Sequence, residues 1–305
     1  MYGVRRPGRR FPIRWQTALL LPCPETLLPG PVDTNEKAAA KAAALHKGQC
    51  ARMGYDFDSP AFVEHYDELP LWSAAFGQLL LEHVPLRADT IALDVGCGSG
   101  FPLLELAQRL GPGSVVHGLD PWTTAVFRAD RKRRQWGVTN AALRVGDAAA
   151  MPFADQSFDL IVSNLGVNNF SDARAAMAEC RRVLRDGGTL ALTTNLVGHM
   201  RELYDVFAQV LGESEALHAH IHHRATIASL HTLLGDAGFT VTCVVEDTFT
   251  MRYASGAALF RHDFVRFGFL PGWEAVAGAE VLAEVQRRLP SPLTLTIPRA
   301  YVEAT

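Results

Sequence analysis

The sequence predicts an α/β fold, doubly wound around a mostly parallel sheet. Between residues 90 and 196, apolar runs of strand length alternate with segments of helical spacing. That is the pattern of strand–helix–strand units joined by right-handed crossovers. The first run, TIALDVG (90–96), is continuously apolar, as in a strand buried on both faces. A glycine-rich loop follows it at once, at a strand-to-helix junction of the kind where open α/β sheets bind ligands.

The elements follow in order. Residues 1–34 carry five arginines before the first acid, Glu25, and are rich in proline. RRF followed by TALLLP resembles an export signal, but the apolar core is too short and no clean small-residue cleavage site follows. This stretch is expected to be a disordered extension outside the fold. Residues 34–49 read as an alanine-rich helix capped by Thr34 or Asn35. Residues 59–86 show helical periodicity broken near Pro70, so 35–86 form an N-terminal helical cap. After the strand at 90–96 come a helix at 101–111 closing on Gly111, a strand at 114–120, and a helix at 123–137. Strands at 140–148 and 157–166 follow, then a helix at 171–188 with a Ser171 cap, and a strand at 189–196. Helices near 199–212 and 225–235 lead to a strand at 238–249, a helical lid at about 253–289 and a final strand at 293–304. Residues 87–305 thus form one domain.

Composition narrows the function. The net charge is -3, so nothing favours nucleic acid or an anionic membrane as the main partner. Five scattered cysteines, with no CxxC, point to a reducing cytoplasm and not to a disulfide framework. No apolar run approaches the ~20 residues of a membrane helix. The sequence fixes no oligomeric state.

The loop LDVGCGSG (93–100) decides between two nucleotide readings. A dinucleotide fingerprint needs glycine at 101, where this chain has Phe101. The observed pattern is Asp94, Gly96, Gly98 and Gly100, acid-x-G-x-G-x-G. It resembles the first motif of class I S-adenosylmethionine (SAM)-dependent methyltransferases. So do GLDPW at 118–122, GDAAAMPF at 146–153, FDLIVSNLG at 158–166 and VLRDGGTLAL at 183–192. The MPFADQSFD turn most resembles the small-molecule subgroup that includes quinone-biosynthesis enzymes. The resemblance covers residues 60–305. It implies a Rossmann-like, seven-stranded sheet with an antiparallel C-terminal strand, and SAM as cofactor. It assigns the glycine loop with Cys97 to the methionine and ribose portion, and Asp94 to the amino end. Asp120, beside Pro121, takes the ribose hydroxyls, Asp147 and Ala148 the adenine, and Asn164 and Leu165 the methionyl side. Cys97 reads as a small buried residue and not a nucleophile.

A sulfonium methyl is already electrophilic, so positioning supplies much of the rate and a base is needed only for a protonated acceptor. SNLG at the fourth strand lacks the proline pair of base and amide methyltransferases, which favours a small-molecule acceptor. The segments 62–72 and 259–273 mix aromatic, histidine and charged residues, as pocket lids do. His65, Tyr66 and His262 are the candidate catalytic residues, with Arg261 as a further anchor. The basic run 128–137 reads as a solvated helix face. HAHIHHR (218–224) has His218 and His222 at i, i+4, yet no acid or cysteine completes a metal set, and a solvent-facing segment is expected. Two alternatives stay open: a nicotinamide-dependent (NAD) oxidoreductase, which the glycine spacing opposes, and a SAM-binding protein without transferase activity.

Overall fold

The computed structural model describes Asp33–Thr34, 56–69 and 71–305. The helix expected at 34–49, apart from Thr34, and most of the 1–34 extension lie outside the described residues. Strand β1 (Asp33–Thr34) precedes helices α1 (Pro60–Asp67) and α2 (Leu71–His83). Next come β2 (Ile91–Val95), α3 (Leu103–Leu110), β3 (Val115–Asp120), α4 (Thr123–Gln135), β4 (Ala141–Val145) and β5 (Phe158–Asn164). A 3₁₀ turn, Gly166–Asn168, leads to α5 (Ala173–Val183) and β6 (Leu184–Asn195). The chain then forms α6 (Arg201–Leu211), α7 (Glu215–His222), α8 (Ile227–Asp236) and β7 (Val241–Tyr253). It ends with α9 (Gly256–Arg261), α10 (Asp263–Gly268), α11 (Leu270–Arg288) and β8 (Leu293–Ala304).

The strand order is β1-β4-β3-β2-β5-β6-β8-β7. Seven long strands form the expected sheet, and the two-residue β1 adds a short edge against Arg144 and Val145 of β4. The first six pair in parallel, and β8 runs antiparallel to both β6 and β7. Alternation along β2 explains the layering. Ala92 joins the core beneath α2, α3 and α4, whereas Leu93 and Val95 join the core beneath α5 and α8.

Three local expectations need correction. Asp172, not Ser171, caps α5, accepting from the Ala175 N–H at 3.0 Å, while Ser171 Oγ reaches toward Asp147. β7 runs to Tyr253, because Arg252 and Tyr253 still pair with Thr294 and Leu293 of β8. The single helix expected at 253–289 is three helices. His262 is extended between α9 and α10, and Gly278 breaks the α11 backbone at φ 73°.

A third core lies beside the sheet. Phe62, Trp72 and Phe76 of α1 and α2 pack with Phe264, Phe267, Phe269 and Trp273, and with Leu293, Leu295 and Ile297 of β8. Aromatic burial on this scale joins the N-terminal helices and the late helices into one cover.

Candidate active site

The glycine loop begins where β2 ends. Gly96 (φ 83°), Gly98 (φ 49°) and Gly100 (φ 100°) all lie in the left-handed region that glycine enters without a Cβ penalty. The Gly96 N–H donates to the Leu119 carbonyl at 2.8 Å, which ties the loop to β3. A Cβ placed on Gly98 would meet nothing within 4 Å. Open space therefore lies directly against this backbone.

Two acids stand at the strand ends next to this loop. Asp120 ends β3, and its carboxylate accepts from Gly98 N–H and Trp122 N–H, each at 2.8 Å. The sequence shows no such partners, so Asp120 also has a structural role in shaping the loop. Burial pushes its carboxyl up to about 6, against the two backbone bonds. Asp94 is fully buried and neither oxygen has a hydrogen-bond partner. Burial first, and the Asp120 charge second, push it up to about 8. The Leu103 amide pulls the other way without closing a bond of normal geometry.

The other predicted residues sit along the same sheet edge. Asp147 follows β4 and accepts from the Ala149 N–H at 2.9 Å, and Ala148 beside it is buried. Pro121 lies in the turn after β3. Asn164 is committed within the protein: its amide donates to the Ser73 carbonyl at 3.1 Å and its oxygen accepts from Thr193 at 2.8 Å. Leu165 takes a left-handed conformation, φ 65°, that turns the chain out of β5. Cys97 is buried, and burial lifts its thiol well above the usual range. It is therefore no nucleophile at neutral pH.

Helix α1 roofs the loop. Ser59 caps it, and Asp67 at its end is the hub. Asp67 accepts from Ser99 Oγ in the glycine loop at 2.7 Å, from Arg128 at 2.8 Å and from Lys132 at 2.5 Å. Burial opposes ionisation, yet these bonds hold the carboxyl below the usual carboxylate range. Arg131 pairs with Glu64, and Arg133 and Arg134 pair with Asp130. The basic run is thus matched by acids and is not simply solvated. The signal was present: Glu64 and Asp67 are three residues apart, and Arg128, Arg131 and Lys132 repeat at three and four. Sequence reasoning did not pair stripes more than sixty residues apart.

Of the candidate catalytic residues, Tyr66 reaches toward the turn after β3. Its ring meets Trp122 at 5.3 Å and Phe267 at 5.8 Å. Burial of its hydroxyl end, then the charges of Asp120 and Asp67, push it up to about 12. His65 is exposed and pairs with Asp263 across the α1–α10 seam at 3.2 Å. His262 precedes Asp263; its Nδ1 is buried without a partner and its ring stands edge-on to Tyr253 at 5.8 Å. Arg261 is exposed. The structure brings His65 and His262 to one seam and Tyr66 against Trp122, after β3. In 218–224, His218 and His222 stack outside at 4.0 Å, but His220 is partly buried against Tyr204, so the segment is not wholly solvent-facing. Among the described residues, no three His, Cys, Asp or Glu side chains are placed to hold a metal. Among the described residues, no helix is long and apolar enough to cross a membrane.

A family model described as "Methyltransferase domain" matches residues 86–238. The chain belongs to that family. It is a SAM-dependent methyltransferase. Nocamycin O-methyltransferase of Saccharothrix syringae is 30% identical over 246 residues, 73% of this chain and 88% of that one. Malonyl-[acyl-carrier protein] O-methyltransferase 1 of Coxiella burnetii is 29% identical over 203 residues, covering 66% of each chain. A SAM-dependent methyltransferase structure from Aquifex aeolicus aligns with TM-score 0.50 at 20% identity, over 61% of this chain and 92% of that one. The likeness to it is one of fold. The loop fits the cofactor: open space lies against Gly98, and a buried carboxyl without a partner stands at Asp94. Nothing favours the nicotinamide alternative.

Proposed function

We propose that this methyltransferase transfers to an oxygen of its small organic acceptor, under a cover made by α1–α2 and α9–α11. SAM, when bound, supplies a methyl group on a positively charged sulfur. The observation that carries the site assignment is the buried, unpartnered Asp94 carboxyl, two residues before a glycine loop that opens at Gly98. Asp94 would hold the amino end, Asp120 the ribose hydroxyls, and Asp147 with Ala148 the adenine. Gly96, Cys97, Gly98 and Gly100 would give backbone clearance, with Pro121, Asn164 and Leu165 completing the walls. Tyr66 keeps its proton at neutral pH, so it donates a hydrogen bond and orients; it does not act as a base. His65 and His262, at the seam, are the remaining candidates to accept a proton from a hydroxyl acceptor. The O-methyltransferase names of two relatives support the oxygen acceptor. The three described cysteines are free thiols, in keeping with a cytoplasmic protein.

Asp120→Asn tests the assignment with two readouts. One oxygen becomes a donor, so calorimetry with S-adenosylhomocysteine (SAH), the demethylated cofactor, should show a loss on the order of 1.5–3 kcal/mol, roughly ten- to a hundredfold. The ligand-free protein should also lose about 1–3 kcal/mol, because Gly98 or Trp122 N–H loses its acceptor. Undiminished SAH affinity in a destabilised variant would reduce Asp120 to a loop cap.

A further inference from the structure

Past the strands that carry the cofactor residues, the sheet's carboxyl edge continues at β6, and there a cation stands without an acid. His199, four residues beyond β6, is 1% exposed and neither ring nitrogen has a partner. Its ring stands edge-on to Tyr204 at 5.6 Å. The segment carrying Arg224 is pinned beside it, since Leu196 bridges to Ala225 and the Val197 N–H donates to the Ala225 carbonyl at 3.0 Å. Arg224 Nε is buried without a partner, and among the described residues no carboxylate pairs with this guanidinium. Burial above all, with the charges of His223 and Arg224 adding to it, holds His199 down to about 3 and His220 down to about 4. Burial and the Arg224 charge hold His223 below its usual range. The Tyr204 hydroxyl meets His220 Nε2 and receives the Trp273 indole N–H, each at 3.2 Å.

Buried cations and polar atoms persist when something completes them. Water would satisfy the hydrogen bonds but leave the charge. An anionic oxygen group does both, and a guanidinium fork matches it in geometry. The place also suits the acceptor. Cofactor-side residues end β4, β3, β2 and β5, and β6 is the next strand. Asn168, in the turn after β5, bonds Thr194 at 2.6 Å and Asn195 at 2.5 Å, so the two strand ends are joined.

We propose that Arg224, with His199 and His220, receives an anionic oxygen group of the methyl acceptor, a carboxylate or a phosphate. The methyltransferase reading underlies the ownership of that anion, but not its binding.

The test uses the full chain with ¹⁵N-labelled histidine, saturated with SAH. Inorganic phosphate and acetate are titrated separately at constant ionic strength, reading the His199 and His220 ring signals. At least one anion should give saturable shifts. In Arg224→Met they should weaken about tenfold or more, with Arg224→Lys between the two. SAH affinity by calorimetry should stay at the parental value in both variants. No saturable shift from either anion, or the same response in Arg224→Met, overturns the site. If Arg224→Met does not fold, Arg224→Lys decides, and a parental response there overturns the role of the fork. A second arm measures labelled methyl transfer to acceptor pairs differing only in carboxylate against amide, or phosphate against hydroxyl. The anionic member should be preferred by the parent and the preference lost in the variants. Preference for the neutral member, or transfer to neither, overturns the acceptor's ownership. Failure of SAH to bind would instead strike the methyltransferase reading, with the phosphate and acetate titrations, repeated without SAH, still deciding the anion site.

Discussion

Replacing Asp94 with asparagine should flatten the pH dependence of stability between pH 6.5 and 8. The folded carboxyl is pushed up to about 8 from its ordinary value of 3.8 by burial and by the Asp120 charge. Across that interval the folded chain holds a proton that the unfolded chain has released. Its contribution is fully present below the unfolded value and is lost as pH rises through the folded one. Asp120, pushed up to about 6, acts in the same direction below that interval. His199 and His220, held down to about 3 and about 4, act oppositely: their neutral rings stabilise above the ordinary imidazole value of 6.5, and that is lost as pH falls. The acids and imidazoles oppose one another between roughly 4 and 6. From 6.5 to 8, Asp94 is the one of these four still titrating. At about 1.4 kcal/mol per pH unit, 1.5 units remove roughly 2 kcal/mol. Urea unfolding without ligand, at half-unit steps, should show that fall in the parent and not in Asp94→Asn. The slope is diagnostic and not the absolute stability, since a buried amide brings its own unmet bonds. Parallel profiles for the two proteins would refute the buried, unpartnered carboxyl.

Two further substitutions separate folding from binding. Gly98→Ala meets no atom within 4 Å, so it should cost only about 1–2 kcal/mol for its left-handed backbone, yet weaken SAH severely in calorimetry; parental SAH affinity would place the cofactor elsewhere. Asp67→Asn leaves Lys132 and Arg128 facing a neutral amide, so thermal unfolding should register a loss of about 3–5 kcal/mol, with faster amide exchange in α1; an unchanged α1 would mean that apolar packing alone holds the roof.

Much of the sheet was legible because its causes are local. β2 shows its burial in an uninterrupted apolar run, and Gly96, Gly98 and Gly100 announce a left-handed loop by residue type alone. Other features depend on residues far apart in the chain. Asp67 finds Arg128 and Lys132 across 61 and 65 residues, and no window of sequence contains both partners. Asp120 reads as a free strand-end acid because the backbone donors of Gly98 and Trp122 have no side-chain signature. The 253–289 segment reads as one helix because its helical spacing runs through the breaks: His262 turns extended beside Tyr253 of β7, and Gly278 takes a left-handed backbone in open space. His199 is a single histidine in a linker until the bridge between Leu196 and Ala225 brings Arg224 beside it.

The aromatic cluster that links Tyr66, Trp122 and Phe267 has a thermodynamic consequence. Trp122 belongs to the turn after β3 and its backbone N–H donates to Asp120, its indole N–H donates to the Phe57 carbonyl at 2.9 Å, and Phe267 belongs to α10. The same rings therefore join the turn beside the glycine loop to the helical cover. A ligand that orders them from the loop side would already meet part of the ordering cost of one that touches them from the cover. The two affinities would then be bound by reciprocity: the factor by which acceptor tightens SAH must equal the factor by which SAH tightens acceptor. Cofactor affinity measured on the empty protein would in that case understate its grip during turnover.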